Sequence, residues 1–190
     1  YISAIPVPGA DYTYEYDVEN ERLFVKTDFD FWWRPQPEKV MVYYVFQFEK
    51  GTVNHDGIII ERIDEYARKN AFQIEGKNTA VHIEVNCDVV NYKVAQSYIS
   101  FEQALVNLEN DSKYDSFDAL VEENAEIWNK YLGKVEIDED EEKMKTFYSC
   151  MYRGLLYPHR AYEINKDGKA VHYAPAIDKV VDGLRYTDNG

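Results

Sequence analysis

The stretch Ser100–Asp111, SFEQALVNLEND, decides how this 190-residue chain is built. Before it, apolar residues recur at every second position, and after it they recur every three or four. Phe101, Leu105 and Leu108 share one helical face, and Ser100 followed by Gln103 has the form of a capping box. The spacing predicts a helix over 101–110. The fold class is therefore expected to be α+β, a mainly antiparallel β-sandwich followed by connector helices.

Working back from Ser100, the pattern is strand-like. Tyr12, Tyr14 and Tyr16 alternate with polar residues, and Asp17-Val18-Glu19-Asn20 turns the chain into Leu23-Phe24-Val25, a hairpin pattern. The run KVMVYYVFQFEK (Lys39–Lys50) is almost continuously apolar, which predicts a strand covered on both faces. TAVHIEVNC (Thr79–Cys87) places Val81, Ile83 and Val85 on one face, and NYKVAQSYIS (Asn91–Ser100) supplies another strand. The charged stretch ERIDEYARKN (Glu61–Asn70) reads equally as a short helix or a loop. Short strands with turn signals between them predict an antiparallel sandwich over 1–99.

Working forward, Ser116 begins a second helix. Phe117, Leu120, Val121 and Trp128 recur at helical spacing up to Leu132, and Gly133 stands where helices favour glycine. The strand-like KVEI (Lys134–Ile137) and the acidic DEDEE (Asp138–Glu142) lead into a third helix over 141–156. That helix carries Met144, Phe147, Tyr148, Met151 and Leu155 on one stripe and ends near Pro158. YEINKDGKAVHYAP (Tyr162–Pro175) reads as two strands around a Lys166-Asp167-Gly168 turn. The expected segments are the sandwich (1–99), a helical connector (100–157) and a hairpin region (158–190).

Composition narrows the function classes. A net charge of −14 leaves no basic stripe to displace counterions from a nucleic acid and argues equally against an anionic membrane surface. No apolar run approaches the roughly 20 residues of a membrane-spanning helix. Aromatics reach 15 %, including 17 tyrosines, which suits either half-buried strands or a carbohydrate-handling surface. The chain starts at Tyr1, so the lack of a leader carries no information.

Little in the residues alone points to chemistry. His55, His82, His159 and His172 are scattered, with no HxH or HExxH pattern. Cys87 and Cys150 lack metal-ligand spacing and are expected as buried free thiols, in a strand and a helix. DEDEE lacks the alternating ligands and central glycine of a calcium loop, and acidic residues entering a helix are explained by its dipole. Trp32-Trp33-Arg34 offers either a sugar-stacking platform or core and sheet-edge tryptophans. No phosphate loop, GxSxG elbow or Cys/His dyad is present. On these grounds a non-catalytic sandwich module that binds carbohydrate or supports a neighbour is one reading.

Three separated motifs give another. SYISFEQALVNLEND (Ser97–Asp111), FYSCMYRGLLYPHRAYEINKDGKAVHYAP (Phe147–Pro175) and VVDGLRYTDNG (Val180–Gly190) occur in the order found in glycoside hydrolase family 92, the calcium-dependent exo-acting α-mannosidases, which the chain resembles. His159 before Arg160, and the stretch Ala174–Leu184, depart modestly from the family pattern. Residues 1–96 match loosely, through VYYVFQFEK.

The resemblance implies a partial N-terminal sandwich, a helical connector, and in 158–190 the hairpin and start of an (α/α)6 catalytic barrel that is expected to continue past Gly190. It implies hydrolysis of terminal α-mannosides in glycans with inversion, and a secreted, periplasmic or cell-surface location. Calcium would be bound by the catalytic domain. The family's catalytic carboxylates are expected downstream, so no catalytic or metal residue is assigned here. Asp188 and Asn189 border the sugar pocket in that pattern, either as substrate-binding residues or as caps of the first barrel helix.

Overall fold

A computed structural model describes residues 2–4, 11–29, 40–62, 68–69, 73–77, 79–111, 113–114 and 116–187. The chain divides into two compact units, Tyr1–Ser112 with Glu163–Gly183, and Lys113–Tyr162 with Leu184–Gly190. The sequence segments follow changes of period, whereas these units follow packing.

Among the described residues nine strands precede the first α-helix: β1 (Ile2–Ala4), β2 (Asp11–Asp17), β3 (Arg22–Phe29), β4 (Val40–Phe48), β5 (Ile59–Arg62), β6 (Arg68–Lys69), β7 (Gln73–Lys77), β8 (Thr79–Ile83) and β9 (Tyr92–Ser97). They form two sheets, ordered β7-β2-β3-β4-β9 and β1-β8-β5-β6. Every pairing in both sheets is antiparallel, as the alternating pattern and short turns predict. The stretch Glu61–Asn70 is neither of the two alternatives read from sequence over its described part: it supplies the end of β5 and all of β6.

The main core brings together Tyr14 and Tyr16 of β2, Leu23 and Val25 of β3, Phe48 of β4, and Val81 and Ile83 of β8, with Val53 and Ile58 from the β4–β5 connection. Tyr14 is fully buried, and its hydroxyl donates to the Thr79 carbonyl at 3.1 Å. This bond satisfies a polar group that burial would otherwise make costly.

Helix α1 (Phe101–Asp111) covers the opposite face of the five-stranded sheet. Val45 of β4 packs with Ala104 and Leu108, while Tyr44, Phe46 and Phe48 belong to the main core. So β4 is covered on both faces, which is why its sequence does not alternate. Phe101 meets Phe24 and Tyr43 edge to face, with centroids 5.3 and 5.1 Å away.

The capping box at α1 is half formed. Ser100 Oγ accepts from the Gln103 N–H at 3.1 Å, but the Gln103 side chain turns away to a more distant partner described below. The first unit is completed by a three-stranded antiparallel ribbon of β10 (Glu163–Ile164), β11 (Ala170–Ala174) and β12 (Lys179–Asp182), ordered β10-β11-β12. At its first turn Asn165 Oδ1 accepts from the Asp167 and Lys169 amides, and Gly168 takes φ +75°.

The second unit contains α2 (Phe117–Leu132) and α3 (Glu141–Leu155). Both begin as read from sequence. Ser116 Oγ accepts from Ala119 N–H at 3.2 Å, and Asp140 Oδ1 from Lys143 N–H at 3.0 Å. The acidic stretch thus supplies the cap of α3 and the ion pairs Lys143–Glu139 and Lys145–Glu141. Trp128 and Tyr152 join the helices with ring centroids 4.5 Å apart. Among the described residues neither helix buries a side chain fully, and Phe117 is 71 % exposed.

Candidate functional site

The segment leading to Asp188 is held by a short antiparallel ladder in the second unit. The Ala161 N–H donates to the Arg185 carbonyl at 2.8 Å, and the Thr187 N–H to the His159 carbonyl at 2.9 Å. Arg160 and Tyr186 form a bridge between these two bonds. Thr187 Oγ1 adds a side-chain tie, accepting from the His159 N–H at 2.8 Å.

Aromatic side chains line this ladder. Tyr162 meets Tyr186 edge to face at 5.6 Å, the Arg160 guanidinium lies 5.5 Å from the Tyr162 ring, and Tyr157 meets His159 at 4.4 Å. A hydrogen bond with Tyr162 raises the Tyr186 phenol above its ordinary range, against the opposing charge of Arg160. Tyr157 and Tyr186 are both exposed, so the ladder offers apolar ring area beside a fixed cation, a combination suited to sugar C–H faces and hydroxyls. Asp188 and Asn189, the substrate-binding residues expected from sequence, lie outside the described residues, as do Trp32, Trp33 and Arg34.

In the first unit, motif residues converge around Glu163. Its Oε1 accepts from the Tyr98 backbone N–H at 3.0 Å and its Oε2 from Asn107 Nδ2 at 2.7 Å. Asn107 Nδ2 also reaches the Gln96 carbonyl. Gln103 Nε2 donates to Asn107 Oδ1 at 2.9 Å and to the Ile164 carbonyl at 2.8 Å. Burial, followed by the Glu163 charge, raises the Tyr98 phenol. Gln103 and Asn107 are one helical turn apart on α1, so one face of that helix presents both amides to β10. Their spacing is visible in the sequence, but partners 56 and 61 residues away are not.

A second polar cluster surrounds Glu21, which is buried. Its Oε2 accepts from the Tyr16 hydroxyl at 2.6 Å and lies 3.1 Å from His55 Nε2, and its Oε1 accepts from the Gly51 N–H at 3.2 Å. Burial alone would raise the carboxyl. The bonds from Tyr16, His55 and Gly51 outweigh it and hold the group below the ordinary glutamate range. Burial first, and then Glu21, push the Tyr16 phenol upward.

The cysteines differ from expectation. Cys87 and Cys150 are free thiols, but both are exposed. Cys87 falls in the bend after β8 rather than in the strand, and Cys150 lies on α3, which buries no side chain among the described residues. Of the remaining histidines, His172 places Nδ1 3.1 Å from the Gly183 carbonyl. Among the described residues no group of three or more His, Cys, Asp or Glu side chains converges as a metal site would require. No described helix is long and apolar enough to cross a membrane.

Comparison with known proteins bears on what the chain is part of. Residues 103–190 match the model of the glycosyl hydrolase family 92 catalytic domain. The chain is similar in structure to the family GH92 inverting mannosidase BT2199 from Bacteroides thetaiotaomicron, with a TM-score of 0.81 and 27 % identity over 99 % of this chain and 25 % of that one. It is also similar to the gh92 family glycosyl hydrolase ccman5, with a TM-score of 0.69 and 18 % identity over 94 % of this chain and 23 % of that one. No curated protein sequence matches it. The resemblance to family 92 carried by the three motifs is thereby shown, for a chain spanning about a quarter of the solved relatives' length. The matched span opens at Gln103, so the Gln103–Asn107–Glu163 cluster and the ladder both lie within it.

Proposed function

We propose that the chain is part of an exo-acting α-mannosidase that removes terminal α-mannosides from glycans with inversion of configuration. The observation that carries this reading is the family 92 match over 103–190 together with the structural likeness, at 27 % identity, to a family 92 inverting mannosidase. Inverting hydrolysis needs a general acid and a general base about 6.5–9.5 Å apart with one water between them. The resemblance to family 92 puts the catalytic carboxylates in the barrel domain, so the reacting pair is assigned to sequence beyond Gly190.

The role of this chain would be to build the approach to that pair. The ladder would deliver Asp188 and Asn189 to the sugar, and the half-exposed rings of Tyr157 and Tyr186 would offer stacking area. Calcium, as in the family, would be held by residues outside those described here. A mannose-containing glycan as substrate fits a secreted, periplasmic or cell-surface setting.

The test is to express the gene continued past Gly190 and assay it on an aryl α-mannoside, following the released anomer by proton NMR. First-formed β-mannose establishes inversion. A continuation lacking a paired Glu and Asp, with no mannoside turnover, would instead support the sandwich as a non-catalytic carbohydrate-binding or structural module.

A further inference from the structure

Strand β9 is one edge of the five-stranded sheet, and only part of that edge is closed. In an antiparallel ladder the N–H and C=O of one residue point to the same side, and successive residues alternate. The Phe48 N–H donates to the Glu21 carbonyl on the β3 side at 3.0 Å, so Tyr43, Val45 and Gln47 turn toward β9. Their partners Ser97, Ala95 and Lys93 turn back toward β4. Tyr92, Val94, Gln96 and Tyr98 therefore turn outward. Side chains cap two of these outward groups: Asn107 Nδ2 donates to the Gln96 carbonyl at 2.9 Å, and the Tyr98 N–H donates to Glu163 Oε1 at 3.0 Å. Among the described residues the Gln96 N–H and the outward groups of Tyr92 and Val94 have no such partner. Tyr92 is 49 % exposed and Val94 52 %, so this stretch is open to solvent.

We infer that the open stretch Tyr92–Gln96 of β9 accepts an extended basic segment of another protein as a further strand. A row of unused backbone donors and acceptors is a template for strand addition. An antiparallel partner exchanges both backbone bonds with Tyr92 and both with Val94, and its next residue accepts from the Gln96 N–H. The Tyr92 ring lies 6.2 Å from that of Phe46 and 5.9 Å from that of Phe48. Partner residues facing Tyr92 and Val94 extend this apolar surface and are themselves apolar. At the Gln96 end stands Glu163: Asn107 Nδ2 touches both the Gln96 carbonyl and Glu163 Oε2, the latter at 2.7 Å. A Lys or Arg facing Gln96 therefore meets a carboxylate. The net charge of −14 favours a basic segment in the same sense and repels a second copy of this chain. The inference does not depend on the mannosidase reading.

The experiment uses the chain continued past Gly190 and a labelled, end-capped peptide Lys-Thr-Val-Thr-Val, followed by fluorescence anisotropy and by hydrogen exchange resolved to single amides. Binding should slow exchange at Tyr92, Val94 and Gln96 and leave Lys93 and Ala95, already bonded to β4, unchanged. N-methylation of both valines removes the pairing N–H groups at constant charge and should weaken binding about tenfold or more. N-methylation of both threonines, whose N–H groups face away, should leave it within about threefold. Glu in place of the peptide's Lys should weaken binding about threefold. Val94→Pro deletes an N–H that no bond in the sheet uses, a change an edge strand tolerates, and should abolish the protection. If that variant does not fold, the two N-methylated peptides decide. Equal binding by those two peptides, or no saturable binding up to about 1 mM, would overturn the inference. So would Tyr92 and Val94 amides protected before peptide is added, because the edge would then already be paired, within the molecule or with a second copy.

Discussion

Glu21 combines a left-handed backbone, φ +54°, with a buried carboxylate facing the Tyr16 hydroxyl, the His55 imidazole and the Gly51 amide. Its carboxyl is held below the ordinary value, so in mildly acidic solution the unfolded chain binds a proton that the folded chain does not. The stability it contributes is full above the ordinary glutamate pKa and is lost as pH falls through the lowered folded value. Urea unfolding of wild type should therefore lose more stability between pH 6 and pH 3 than unfolding of Glu21→Gln. At pH 7 the variant itself should be less stable by roughly 1–3 kcal/mol, because a donor group replaces an acceptor among three donors. Equal pH slopes for the two proteins would remove Glu21 as the titrating group. Tyr14→Phe is the simpler case: it leaves the Thr79 carbonyl without the buried hydroxyl and should cost about 1 kcal/mol, read as a lower urea midpoint.

Among the elements, Gly133 has a reason that its position alone does not reveal. The residue closes α2 with φ −70°, not the left-handed conformation that usually selects glycine there, and its N–H donates to the Asn129 carbonyl. An added Cβ would lie 2.7 Å from that carbonyl oxygen. Gly133→Ala should therefore fray the last turn of α2, seen as faster amide exchange over 129–133 with the sheet amides unchanged. Unaltered exchange there would show that the helix end yields freely. The helices were legible because Ser100 and Ser116 at their starts, the acidic entry to α3 and a 3.6-residue apolar period agree. The tyrosine alternation of β2 and the double-faced β4 were legible for the same local reason. What stayed hidden is long-range: the link from Gln103 to Ile164 and the approach of His55 to Glu21 leave no periodic trace. Cys87 was misplaced because an apolar run does not mark the residue at which pairing stops.

At the scale of the whole molecule, 190 residues purified alone should hydrolyse no aryl α-mannoside and bind no calcium tightly. An acid–base pair must be held across the anomeric carbon, and tight calcium binding needs six or more converging oxygens. Turnover that a chelator abolishes, or a strong calcium signal in calorimetry, would place the chemistry within this chain. Phe117, Leu120, Val121 and Leu155 are all exposed on the connector helices, an apolar surface of the kind that drives association. Light scattering should show apparent mass rising with concentration, and Phe117→Glu should reduce that rise. A concentration-independent monomer would count against it.

The tie between Gln103 of α1 and the Ile164 carbonyl, 61 residues further on, sets an order of events during synthesis. The first 112 residues leave the ribosome with the side-chain amides of Gln103 and Asn107 facing water. Their acceptors emerge only with Glu163 and Ile164, and the ribbon closes when Gly183 follows. At ~5–20 residues per second, the nascent sandwich waits several seconds with that face of α1 unsealed. A chaperone that shields the outer face of α1 would act in this interval, and a stop codon placed between Ser112 and Glu163 would leave it permanently open.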